Sequence, residues 1–92
     1  MSKKDDMSII SLLARSKKRI KVLKSLEKED KIPSKISKDI EDNSNHVSKY
    51  LKTLKEADLV ECLNEDDKRY RFYSITDKGN YYLDKVEKEY NE

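Results

Sequence analysis

Apolar residues that recur every three or four positions on an otherwise polar helix constrain this chain more than any other feature. Within residues 43–57, Val47, Leu51 and Leu54 fall on one stripe with Tyr50 at its border, while Asn45, His46, Ser48, Lys49, Lys52 and Lys55 point elsewhere. The stripe requires a core to bury it, and the polar remainder is left free to face something else. The segment runs into Leu59-Val60, where the pattern changes to that of a strand, so a helix with a cationic outer face is joined directly to a hairpin.

The charged fraction is 43% and the apolar fraction 35%, values close to those of disordered chains, yet the apolar residues are strongly periodic and there is one Pro and one Gly. Periodicity decides for a folded chain. Its 92 residues suffice for one domain whose core must be built economically, and a partner subunit would help to cover it. The net charge of +2 hides a segregation: residues 15–55 hold 13 Lys/Arg against 6 Asp/Glu, or +7, and residues 56–92 hold 6 against 11, or −5. Such a chain has a side that attracts polyanions and a side that repels them, although charge alone equally fits a lysine-rich solvated surface. Cys62 is the only cysteine, which excludes an intrachain disulfide and a cysteine-cluster metal site and points to a reducing, cytoplasmic setting. No apolar run approaches the ~18 to 20 residues that span a bilayer, and residues 1–6 are too polar for a signal peptide, so no membrane partner is expected.

Met7 to Ala14 reads as a short helix with apolar residues on more than one side, and Ser16 to Leu26 as an amphipathic helix with Ile20, Val22, Leu23 and Leu26 inward. Ile32-Pro33-Ser34 opens the next helix, with Pro33 tolerated in the first turn, Ser34 able to cap, and Ile36 and Ile40 as its buried stripe. Glu41-Asp42-Asn43-Ser44 favours a turn, and Asn43 or Ser44 can cap the helix that follows. Leu59 to Asn64 and Arg69 to Ile75 read as a hairpin around Glu65-Asp66-Asp67-Lys68. Thr76 caps a final helix, and the lone Gly79 in its first turn lets it start pressed against the hairpin. The order is α+β: a three-helix core, a two-stranded β-hairpin wing, and extra helices at both ends.

These stretches resemble winged helix-turn-helix transcription regulators of the ArsR/MarR-like superfamily, of a small prokaryotic, archaeal type, over roughly Ser16 to Leu83. The resemblance lies in residues 16–26 as the first core helix, in Ile36-Ser37-Lys38-Asp39-Ile40 through Val47 to Ala57 as the helix-turn-helix, and in Ile75-Thr76-Asp77-Lys78-Gly79 as the junction after the wing. It implies one DNA-binding domain over 1–92, with its core at 16–79. It also implies a base-contacting surface on Ser44, Asn45, His46, Ser48, Lys49 and Lys52, and wing contacts from Lys68, Arg69 and Arg71. The chain departs from the pattern in Glu41 and Asp42 at the turn, in Asp58 where Gly is usual, in three acids at the wing tip, and in lacking a metal-binding Cys motif.

The physical case for double-stranded DNA is that no acid lies between Asn43 and Lys55. Lys49, Lys52 and Lys55 can neutralise phosphates while Ser44, Asn45 and Ser48 hydrogen-bond base edges; Lys35 and Lys38 of the preceding helix add to the cationic surface. The alternative for a lysine run is plain solvation. His46 can donate to a base acceptor or gain charge and tighten a phosphate contact, but surface histidines are commonly inert. Arg15, Lys17, Lys18 and Arg19 fit a phosphate contact or a solvated helix end equally well. Cys62 packs as a small hydrophobe. The helices at 7–14 and 77–90 are expected to form a homodimer through Ile9, Leu13, Tyr82, Leu83, Val86 and Tyr90. Nothing in the chain supports catalysis, a cofactor, a metal or a small-molecule effector. Repression by promoter occlusion is the simplest role; the rival is a protein-docking module whose acidic half meets a basic partner.

Overall fold

The computed structural model describes residues 3–90, and side chains within 7–88. Five helices and two short strands follow one another as α1 (Lys3–Ala14), α2 (Lys17–Leu26), α3 (Pro33–Ile40), α4 (Ser44–Glu56), β1 (Val60–Cys62), β2 (Tyr73–Ile75) and α5 (Asp77–Tyr90). The α+β architecture is the expected one. Each boundary has a local cause. Ser16 caps α2 by accepting the Arg19 amide at 3.3 Å, and Asn43, rather than Ser44, caps α4 by accepting the His46 amide at 2.9 Å. α3 corrects the capping expected of Ser34: Ile32 holds the cap position without a side-chain bond, and Pro33, which has no N–H to satisfy, opens the first turn.

α3 and α4 both end in a left-handed residue. Glu41 has φ 55° and Asp58 φ 62°. In each case the next amide reaches back to the last turn, Asp42 N–H to Ser37 C=O at 3.0 Å and Leu59 N–H to Leu54 C=O at 2.9 Å, the bonding of a Schellman turn. Glycine is the usual occupant of that conformation, so each acid bears a steric cost from its Cβ.

The hairpin is antiparallel, with Val60 opposite Ile75, Glu61 opposite Ser74 and Cys62 opposite Tyr73. Its ladder is shorter than the runs 59–64 and 69–75 suggest, because side chains replace backbone partners beyond Leu63. Asn64 Nδ2 donates to Tyr70 C=O at 2.7 Å and its Oδ1 accepts the Phe72 amide at 2.8 Å, while Asp67 Oδ1 accepts the amides of Arg69 and Tyr70. On its other edge β2 meets Lys31, which exchanges two backbone bonds with Tyr73 at 2.9 and 3.1 Å. This bridge joins the wing to the entrance of α3, and no periodicity in the polar stretch 27–31 announces it.

Gly79 lies where α5 begins against the hairpin. A Cβ there would overlap the Leu59 carbonyl oxygen and come within 2.7 Å of Ile75 Cγ1. Thr76 completes the corner, its Oγ1 accepting the Gly79 amide at 2.9 Å and donating to Asp58 C=O at 2.7 Å.

The core draws Leu13 from α1, Val22, Leu23 and Leu26 from α2, Ile36 and Ile40 from α3, Val47, Leu51 and Leu54 from α4, Leu59 and Val60 beside the wing, and Tyr82, Leu83 and Val86 from α5. The apolar stripe of α5 was expected to need a second subunit. Instead α1 packs across α5 and α2 of the same chain, so Ile9, Leu13, Tyr82, Leu83 and Val86 are at most 8% exposed within one protomer. The side chain of Tyr90 lies outside the described residues. Among the described residues the most exposed large apolar side chains on these two helices are Met7 and Tyr81, 71% and 56% exposed. Among the described residues no helix is long and apolar enough to cross a membrane.

Candidate nucleic-acid interface

α4 rests on α2, α3 and β1 through Val47, Leu51 and Leu54, and its two flanks are fastened by polar contacts. On one flank Arg19 of α2 donates through Nε to Thr53 Oγ1 at 3.2 Å and through a terminal nitrogen to Leu12 C=O at 3.1 Å, so this arginine is committed to tying α1, α2 and α4 together. On the same flank Asp42 gathers four donors. Its Oδ1 accepts His46 Nδ1 and the Asn43 amide, each at 2.8 Å; its Oδ2 accepts Tyr50 Oη at 3.2 Å and lies 3.7 Å from Lys18 Nζ. Bonding from His46, then from the Asn43 amide, holds the Asp42 carboxyl below the ordinary carboxylate range. Burial, and then the charge of Asp42, pushes the Tyr50 phenol up. On the opposite flank Lys55 pairs with Glu65 of the wing, which raises the lysine and lowers the carboxyl.

Between the flanks Ser44, Asn45, Ser48, Lys49 and Lys52 are exposed, and their side chains have no hydrogen-bond or ion-pair partner among the described residues. This is the polar face that the helical spacing isolates. Lys35 and Lys38 of α3 are also exposed and make no hydrogen bond or ion pair among the described residues. On the wing the side chains of Lys68 and Arg69 likewise make none among the described residues, whereas Arg71 Nε donates to Asp67 C=O at 3.1 Å and helps to fold the tip. Backbone bonds from Tyr70 and then Arg69 keep the Asp67 carboxyl low, so that acid acts as a turn-former. His46 is exposed on one side and committed to Asp42 on the other.

Sequence reasoning did not foresee the convergence on Asp42. The i, i+4 spacing of Asp42 and His46 was readable, but the approach of Lys18 from α2 depends on tertiary packing. It also did not foresee the exposed apolar side chains of the wing. Leu63 and Phe72 are joined through the Leu63 amide and Phe72 carbonyl at 2.9 Å, and Tyr70 lies two residues before Phe72; all three are exposed.

No curated protein matches the chain. Among solved structures, HlyU from Vibrio cholerae superposes with a TM-score of 0.73 at 18% identity over the full length of both chains. ZitR from Lactococcus lactis, determined in complex with DNA, gives 0.68 at 22% identity over 77% of this chain, which spans about half (49%) of the ZitR chain. A homodimeric winged helix-turn-helix DNA-binding domain from Mycobacterium bovis, Mb0332, described as a possible ArsR-family transcriptional regulator, gives 0.69 at 16% identity over 100% of this chain and 96% of its own. At such identities these likenesses speak for the fold. The sequence profile of the winged helix-turn-helix family matches residues 14–92, the core helices, the wing and α5 alike, and the chain therefore belongs to that family.

Proposed function

We propose that this protein is a sequence-specific double-stranded DNA-binding transcription regulator that reads the major groove with α4. The observation that carries the reading is the contrast on α4 itself: both flanks are fastened, while Asn45, Ser48, Lys49 and Lys52 between them are exposed and unpaired. Lysines there release counterions from phosphates, and the amide and hydroxyls supply donors and acceptors to base edges. Lys35, Lys38, Lys68 and Arg69 extend the contact to the backbone on either side, with Ser44 and His46 at the start of the helix. The protein acts as a homodimer on a pseudo-palindromic site, and blocking a promoter is the simplest regulatory consequence. Support for the dimer comes from the uncovered Met7 and Tyr81 on α1 and α5 and from the homodimeric state in which Mb0332 is described.

The test is binding to duplexes enriched from a random pool, measured while salt is raised. A steep loss of affinity is expected, and Lys52→Ala flattens the logarithmic slope by about 1 for each subunit contact removed. Affinity indifferent to both Lys49→Ala and Lys52→Ala removes the reading. A second reading, a protein-docking module, is favoured by the exposed Leu63, Tyr70 and Phe72 beside Glu61, Glu65 and Asp66. It gains if those lysine changes leave DNA binding untouched.

A further inference from the structure

We propose that His46 determines specificity in the DNA interface through its Nε2 atom, and that Asp42 is the positioning residue that fixes which ring nitrogen carries the proton. The inference rests on the DNA-binding reading and adds to it the atom that reads, its chemistry and its control.

His46 Nδ1 lies 2.8 Å from Asp42 Oδ1. A carboxylate only accepts, so Nδ1 must carry the hydrogen of that bond. The Asn43 side-chain nitrogen, 3.3 Å from the same ring nitrogen, cannot donate to it once that hydrogen is in place; Asn43 is oriented instead by its Oδ1, which accepts the His46 amide at 2.9 Å. Asp42 has no freedom to turn away. Its side chain is 12% exposed, and its other oxygen is held by Tyr50 Oη from α4 and Lys18 Nζ from α2. The Tyr50 ring stands beside the imidazole, 6.4 Å away centroid to centroid and tilted by 49°. The groups facing the imidazole are thus Asp42 from the turn, Tyr50 from its own helix and, beyond the carboxylate, Lys18 from α2, with Lys49 one turn along α4.

The opposite nitrogen, Nε2, has no partner among the described residues, on a side chain that is 53% exposed at the start of α4. With Nδ1 protonated and the ring neutral, Nε2 is a lone-pair acceptor. In a major groove it matches the exocyclic amino group of adenine or cytosine. The opposite tautomer would present a donor there and match guanine N7 or O6 instead, so the proton that Asp42 holds on Nδ1 decides which base edge the ring can read. Lysine or arginine at this position would only donate.

His46 is the only histidine, so 15N-imidazole NMR of the whole protein reports one ring. At about pH 8 the ring shifts should show the Nδ1–H tautomer, and Asp42→Ala should release it to a mixture. In parallel, duplexes are selected from a random pool at about pH 8 with the wild-type, Asp42→Ala and His46→Ala proteins. The wild-type protein should prefer adenine or cytosine at one position per half-site by about threefold to tenfold, and Asp42→Ala should weaken that preference. His46→Ala, which alters an exposed side chain and keeps the fold, should erase the preference at that position alone. An Nε2–H ring in the wild-type protein overturns the proposal, as do selected sites that are the same for the wild-type protein and His46→Ala. A wild-type protein that enriches no duplex overturns the DNA reading itself, and this assignment with it, whatever the tautomer.

Discussion

Asp42 does more for the helix-turn-helix than an acid in a turn ordinarily does, because both of its oxygens are engaged by donors from two helices and the turn. Those bonds favour the ionised form, so the folded carboxyl titrates below its unfolded counterpart. The stabilisation is therefore complete above the unfolded value, about pH 4, and is lost as the pH falls through the folded one. Asp42→Asn, which keeps the shape and removes the charge, is expected to lower Tm by several degrees at pH 7 and by progressively less toward pH 3, as thermal melts followed by circular dichroism will show. A difference in Tm that stays constant across that range would mean the charge is not the cause. Gly79 carries a different constraint, of space: the overlap a Cβ would make with the Leu59 carbonyl explains why the chain's lone glycine sits at this corner.

Helix ends show where the sequence misleads and why. Glu41 and Asp58 both occupy the left-handed position of a Schellman turn, where residues with a Cβ lose about 1 kcal/mol or more relative to glycine. Glu41→Gly is expected to stabilise the fold by about 1 kcal/mol, more than Asp58→Gly, since aspartate tolerates this conformation better; a rise in the urea midpoint at unchanged slope is the check. The stripes of α2, α3, α4 and α5 were legible because burial imposes a period, and the caps at Asn43 and Thr76 because short polar side chains satisfy free amides; Ser16, read as the first residue of its helix, is its cap instead. The α5 stripe was read correctly as buried, but what covers it was not, since no local pattern says that α1 lies across it. Likewise, residues 63–64 and 69–72 read as strand, yet Asn64 and Asp67 divert the backbone bonding into side chains. The polar face of α4 followed directly from the helical period; its fastening at both flanks is tertiary and could not.

Over the whole molecule, 37 × 26 × 21 Å in extent, one protomer buries its own core and needs no partner to do so. The proposed homodimer then rests on a modest contact rather than on completion of the core. Tyr81, packed edge-on against Tyr82 and beneath Lys85, is its proposed centre on α5, and the exposed Met7 is the proposed contribution of α1. Tyr81→Glu is expected to leave each chain folded, to halve the mass seen by sedimentation, and to weaken binding to a two-half-site duplex while sparing a single half-site. An unchanged mass would place the subunit contact elsewhere. On the proposed reading, two α4 helices joined in this way would address half-sites spaced by about 34 to 36 Å, one helical turn of the duplex.

The backbone bridge between Lys31 and Tyr73 bears on how such a contact is felt mechanically. The hairpin hinges neither alone nor freely: its returning strand is stitched to the residue that leads into α3, while Lys55 and Glu65 strap its outer end to α4. A force applied at the tip is delivered to both helices at once. On the DNA-binding reading proposed above, a duplex touching the tip would load α3 and α4 together rather than the hairpin alone.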